Sequence, residues 1–187
     1  MKRKVDIQEL MAVTENMLLE KGYEAFHFKA LAEELNIGRS TLYEYFSSKE
    51  ELVTEYMTNI MDKIFLECKG TLTLPDPLGQ LREMLNIFLK YSKLHQILQI
   101  LPLIDRNSSP RVEKSLRKLD DQHNQMFQWI MDSIHAAQDK GQIRADLHPS
   151  VVAGLFFNAI QIPNRLHLEQ DAWNRMMFDA IYHGLAR

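Results

Sequence analysis

Between Phe28 and Leu52 the chain reads FKALAEELNIGRSTLYEYFSSKEEL, an order of residues that suits two short helices and the start of a third. Leu31, Ala32 and Leu35 recur at helical spacing and belong on one inward face. Asn36 interrupts them, and asparagine tolerates the left-handed backbone that a sharp helix-to-helix turn requires. Ile37 plugs that turn into the core, and Gly38 caps the next helix. There Leu42 and Phe46 lie one turn apart on the inside. Arg39, Ser40, Thr41, Tyr43, Glu44 and Tyr45 supply hydrogen-bonding groups on the other faces. A helix-turn-helix that enters a DNA major groove needs this buried seam beneath a short, polar, mostly uncharged outer face. Any antiparallel helical hairpin has a similar seam, so residue types and spacing alone leave both readings open.

A wider pattern bears on that choice. Gly22-Tyr23, Leu31-Ala32, Leu42-Tyr43-Glu44-Tyr45-Phe46 and Lys49-Glu50-Glu51-Leu52 follow one another in this order. Over about a quarter of its length the chain thereby resembles the N-terminal domain of the tetracycline-repressor (TetR) family. Further on, the connector from Gly141 to Pro149, GQIRADLHP, resembles the Gly-x-Ile/Leu-Arg-x-Asp-x-x-Pro turn before the eighth helix of many members. Two positions depart from the pattern. The family usually has Ser or Thr where this chain has Phe28 and Gly38, hydroxyls that serve capping or phosphate contact. His27 stands beside the first as a substitute donor, and Gly38 offers only its backbone N–H.

The resemblance implies a DNA-binding transcriptional regulator, most often a repressor. It would bind a palindromic double-stranded operator as a homodimer and be released by a hydrophobic small-molecule inducer. The alternative is an architectural or interaction protein of the same fold without ligand control. On the first reading, Arg39, Thr41 and Tyr43 approach bases or adjacent phosphates. Ser40 shares their helix, Tyr45 flanks them, Lys49 binds a phosphate at the start of the fourth helix, and Lys29 and Arg3 add to the basic footprint. That footprint is modest: residues 1–52 carry seven Lys or Arg against ten Asp or Glu. Affinity therefore depends on where the charges point rather than on their sum.

The fold expected is all-α, with about nine helices, divided into a helix-turn-helix DNA-binding domain at 1–48 and a regulatory and dimerisation domain at 49–187. Helix one spans about Val5 to Lys21, and helix four about Lys49 to Cys68. Thr71 to Pro77 carries two prolines and punctuates the chain before a fifth helix from Leu78 to Ser92. Lys93 to Ile104 forms a sixth, broken near Pro102. A long seventh helix starts at Pro110 and stops by Gly141, as helix-end preferences require. The last two run about 150–162 and 171–185. Their apolar residues spread over more than one face, which calls for burial on more than one side. Either the monomer core takes both faces, or a second copy covers one through Val152, Phe156, Trp173, Met177 and Ala180. A single helix-turn-helix needs such a two-fold partner to read a palindrome.

An apolar lining drawn from Met61, Phe65, Phe88, His123, Met126 and Ile130 fits ordinary core packing or an adaptable pocket. Ten methionines supply the pliable side chains that suit either. The family resemblance implies a pocket among helices four to seven. Helix four, with Lys49 at one end and Met61 and Phe65 near the other, would then serve as a lever to the reading head. No cofactor, catalytic residue or metal ligand set is expected: HExxH, CxxC and glycine-rich phosphate loops are absent from the sequence. The pair His135 and Asp139 could hold a metal only with partners that no spacing identifies. The lone Cys68 excludes an intramolecular disulfide framework and suits a reducing cytoplasm. Neither a signal-peptide pattern nor a run of ~18 apolar residues occurs, so no membrane association is expected.

Overall fold

Helix ends placed by proline, glycine and short polar caps set the architecture of the computed structural model, which describes residues 5–185. It contains α1 (Ile7–Ala25), α2 (Phe28–Glu34), α3 (Arg39–Tyr43), α4 (Lys49–Thr71), α5 (Pro77–Lys90), α6 (Ser92–Leu98), a 3-10 turn at Leu101–Leu103, α7 (Pro110–Asp139), α8 (Pro149–Ile160) and α9 (Gln170–Leu185). No strand occurs among the described residues. The all-α expectation stands.

The Asp6 carboxylate accepts from the N–H groups of Gln8 and Glu9, capping α1. Gly22, at φ 76°, interrupts that helix one residue after Lys21, and only glycine adopts such a backbone without strain. Asn36 takes φ 51°, and Ile37 N–H reaches back to the Ala32 carbonyl at 3.0 Å, closing the turn expected there. α3 is shorter than its sequence pattern, but Phe46 N–H bonds Leu42 O at 2.9 Å and carries helical bonding past Tyr43. Asp76 caps α5, with Pro77 in the first turn. Gly141, at φ 69°, ends α7, and Gln142 N–H satisfies the Ala137 carbonyl at 2.9 Å.

The chain forms two compact units. One takes the chain up to Met61 together with Gln96–Asp120, and the other takes Asp62–His95 and the chain from Asp121 onward. In the first unit α1 packs on α2 and α2 on α3. Leu10, Phe26, Leu31, Leu42, Leu52, Val53 and Met57 have no exposed surface. Each such side chain contributes roughly 1.5–3 kcal/mol by leaving water. In the second unit α5 packs on both α8 and α9, which pack on each other. Leu81, Leu85, Ile134 and Val152 are sealed within it.

Candidate nucleic-acid interface and apolar site

The seam of Leu31, Ala32, Leu35 and Leu42 leaves Lys29, Glu33, Glu34, Arg39, Ser40 and Tyr43 on the outer side of α2 and α3. Lys29, Arg39, Ser40 and Glu44 are exposed, Tyr43 is half exposed and Tyr45 partly covered. Phe28, buried beneath this face, meets the Tyr43 ring edge-on at 5.1 Å. The Arg39 guanidinium lies 5.7 Å from the centre of the same ring. Phe28, Tyr43 and Arg39 thus adjoin in a row, with the arginine in the first turn of α3. Arg3, also expected to meet DNA, lies outside the described residues.

Several expectations change on contact with the structure. Thr41 is 6% exposed and belongs to the inner side of α3, so it is withdrawn from the base-reading set. Lys49 is engaged within the chain: Nζ donates to the Tyr23 carbonyl at 3.1 Å and sits 4.1 Å above the Tyr23 ring. The Tyr23 hydroxyl in turn donates to Glu50 at 2.9 Å. Burial works to raise the Glu50 pKa. Hydrogen bonds from its own N–H, Tyr23 and Ser48, with the Lys49 charge, outweigh that and hold the carboxyl below its usual range. Lys49 latches α1 to α4 before it serves any phosphate. His27, expected as a donor, is an acceptor: its Nδ1 takes the Ala30 N–H at 3.0 Å and caps α2.

Gly38 caps α3 without a side chain, at φ −72° and ψ 137°, a backbone open to any residue. A Cβ there would stand 3.6 Å from Ser40 Oγ and Thr41 Oγ1, ordinary contact distance. Gly38→Ser is therefore expected to stabilise the fold by ~0.5–1 kcal/mol, through a tethered unfolded chain and a new cap. Thermal melting checks this, and a lowered midpoint would show that the turn needs glycine.

Sequence spacing gave no sign of a polar cluster beneath the end of α3. Glu51, only 7% exposed, accepts from Ser47 N–H at 2.9 Å and from Ser109 Oγ at 2.8 Å. Ser109 also accepts Val112 N–H at 3.2 Å, capping α7. Arg111 Nη1 donates to the Tyr45 carbonyl at 2.9 Å. The guanidinium lies 4.7 Å above the Phe46 ring and within 3.9 Å of Glu51 and 3.4 Å of Glu55. Burial tends to raise the Glu51 pKa; bonds from Ser47 and Ser109 and the Arg111 charge overcome it, leaving the carboxylate ionised at neutral pH.

On the last two helices the structure corrects the faces. Val152, Phe156, Trp173 and Met177 are 0%, 2%, 8% and 6% exposed, buried in their own chain. Of the five residues expected to meet a partner, Ala180 alone is exposed. The outward apolar residues are Val151, Leu155, Ile162, Leu166 and Met176.

The six expected ligand residues divide in the same way. Met61, Met126 and Ile130 are buried core, and Phe65 packs on Trp129 at 4.9 Å. Phe88 and His123 belong to an aromatic group centred on Phe157, a residue that sequence reasoning missed. Its ring centre lies 6.2 Å from Phe88, 6.0 Å from Phe127 and 6.3 Å from His123, all with tilts of 32° or less. His123 is exposed and Phe88 and Phe157 are partly so, which leaves ring surface open to a ligand. Burial and the charge of His123 lower the His95 pKa, so that imidazole is neutral at pH 7. A separate polar cleft of about 370 Å³ lies between α5 and α9, lined by Arg82, Arg175, Glu83, Asp171, Asp179 and Phe178, among others. No helix among the described residues is long and apolar enough to cross a membrane.

Residues 10–56 match the family model for bacterial regulatory proteins, tetR family. Among curated proteins, the HTH-type transcriptional repressor KstR2 of Mycobacterium tuberculosis is 23% identical over 145 residues, 77% of this chain and 72% of that protein. The solved ketosteroid transcriptional regulator KstR2 of the same organism superposes with a TM-score of 0.82 at 19% identity, covering 96% of this chain and 94% of the other. AibR, solved with isovaleryl coenzyme A and operator DNA, gives a TM-score of 0.75 at 17% identity over 94% of this chain and 97% of its own. PfmR from Thermus thermophilus gives 0.74 at 20% identity, over 95% and 99%.

Proposed function

We propose that this chain, whose residues 10–56 match the tetR family of bacterial regulatory proteins, is a transcriptional repressor that holds a palindromic operator as a homodimer and releases it when an apolar effector binds. It is a regulator rather than an enzyme, and it would act on DNA in the cytoplasm. The observation that carries this reading is the outer face of α3, where Arg39 and Tyr43 stand one turn apart over a seam of Leu31 and Leu42. Such a face suits the major groove, with Arg39 able to donate two hydrogen bonds to a guanine edge. Ser40, Tyr45 and Lys29 flank it. Two such helices must be joined, and Val151, Leu155, Ile162, Met176 and Ala180 offer the apolar surface for a second copy.

The effector class we favour is an apolar acyl group carried as a coenzyme A thioester. Support comes from the rings of Phe88, Phe127 and Phe157 for the apolar part, and from the isovaleryl coenzyme A found with AibR. The switch proposed is a tilt of α4, one helix from Lys49 to Thr71 that carries Phe65. A hundredfold loss of DNA affinity asks the effector to prefer the non-binding state by ~2.7 kcal/mol.

The test begins with selection of a duplex from a random pool and anisotropy titration at several salt concentrations. Arg39→Ala should weaken the selected duplex by ~1–3 kcal/mol and relax preference at one base position. Equal affinity of wild type and Arg39→Ala for every duplex would remove α3 as the reading helix. Acyl coenzyme A, the free acid and coenzyme A alone, added to the bound complex, separate the effector classes.

A further inference from the structure

We infer that Arg111 is a positioning residue for DNA reading, and that with Glu51 and Ser109 it forms a latch fixing the recognition helix from the first turn of α7. The inference rests on α3 being the reading helix. Nothing in the tetR-matching stretch, residues 10–56, includes Arg111 or Ser109. Yet both belong to the same compact unit as α1, α2 and α3.

The chemistry singles out arginine. Helix carbonyls at a C-terminal end lack partners within the helix, and α3 ends in a bonded turn whose Tyr45 carbonyl is taken by Arg111 Nη1 at 2.9 Å. The same planar group covers the Phe46 ring and meets two carboxylates, Glu51 and Glu55. A lysine ammonium cannot satisfy a carbonyl, a ring face and two acids at once, since it is a point charge on a flexible stem. Glu51 supplies the other half. One oxygen accepts Ser47 N–H, in the segment leaving the recognition helix, and the other accepts the hydroxyl that caps α7. A nearly buried carboxylate so bonded resists displacement, because either partner alone would leave a charge uncompensated. A movement of the α7 N-terminus therefore reaches Tyr45 and Phe46 through bonds rather than through loose packing.

A rival role exists, because the Arg111 side chain is 43% exposed. It could instead contact a DNA phosphate directly. The two roles give opposite signs for one substitution. With a phosphate role, Glu51→Gln frees Arg111 from its acid and tightens binding. With the latch, Glu51→Gln weakens it.

The experiment measures affinity for the selected duplex and for random duplex, across salt, for Glu51→Gln, Arg111→Gln, Arg111→Lys and Ser109→Ala, with Arg39→Ala as reference. Expected is at least a tenfold fall in the specific-to-random ratio for Glu51→Gln and Arg111→Gln, with the salt slope unchanged. Arg111→Lys should fail to restore the ratio. Ser109→Ala, which deletes one hydroxyl, should lower it severalfold and keeps the test open if a charge variant does not fold. Unchanged or tighter binding by Glu51→Gln, or rescue by lysine with a slope shallower by about one in Arg111→Gln, overturns the latch. If Arg39→Ala also binds like wild type, the reading-helix assignment fails instead. If Arg39→Ala weakens binding while the latch variants do not, only the latch fails.

Discussion

Arginine in place of Leu155 is expected to leave the chain folded, monomeric at micromolar concentration, and at least a hundredfold weaker on its operator. Leu155 is 43% exposed on α8, one turn from Val151 at 53%, while Met176 on α9 is 46% exposed. As a free surface these apolar side chains are a liability; against a second copy they form a seam that a stranded guanidinium would open. A monomer offers one recognition helix, and the second half-site's contacts then no longer add. A hundredfold loss corresponds to ~2.7 kcal/mol, modest for half of a two-fold contact. Phe156→Arg is the informative contrast. At 2% exposure Phe156 is core, and losing its packing alone costs ~3–5 kcal/mol, so that variant should unfold rather than dissociate. Sedimentation equilibrium with circular dichroism separates the two. A dimeric Leu155→Arg protein would remove this face from the assembly.

Val152, Phe156 and Met177 are buried while their neighbours Val151, Leu155 and Met176 are exposed, and this one-residue displacement is a matter of rotation. α8 reads PSVVAGLFFNAI, with Val151 beside Val152 and Leu155, Phe156 and Phe157 in succession. Periodicity cannot choose a face when apolar residues run all round a helix. The choice is made by α5 and α9, which pack on α8. The same ambiguity hid Phe157 behind Phe156. Turns and ends were legible because their causes are local: a left-handed Asn36, a left-handed Gly141, and Pro110 at the start of α7. The helix-turn-helix was legible for the same reason, since the seam and outer face of α3 lie within a few residues. Lys49 with Tyr23, and Arg111 with Glu51, were not legible. Those partners are 26 and 60 positions apart, and no spacing rule joins a cation to a carbonyl or a ring at that distance. Thr41 was misjudged on residue type: a hydroxyl one position before Leu42 turned inward with it.

Phe157→Ala is expected to leave operator affinity without effector within about twofold of wild type and to raise the effector concentration needed for release ten- to a hundredfold. The ring is the hub of the aromatic group, within 6.3 Å of Phe88, Phe127 and His123. It is partly exposed, so its removal opens a groove instead of a sealed void and spares most of the cavity cost. What the effector loses is an aromatic contact of ~0.5–1.5 kcal/mol together with part of the ~1.5–3 kcal/mol from burying the ring. Tenfold corresponds to ~1.4 kcal/mol and a hundredfold to ~2.7 kcal/mol, so the two contributions span the expected range. Met126→Ala and Ile130→Ala, at 5% and 1% exposure, remove core and should cost ~2–5 kcal/mol of stability, which makes them poor probes of the ligand. The measurement is release of labelled operator against acyl coenzyme A concentration, at fixed salt because DNA affinity depends steeply on it. An unchanged midpoint would move the effector away from Phe157 and return these rings to the packing of α5, α7 and α8.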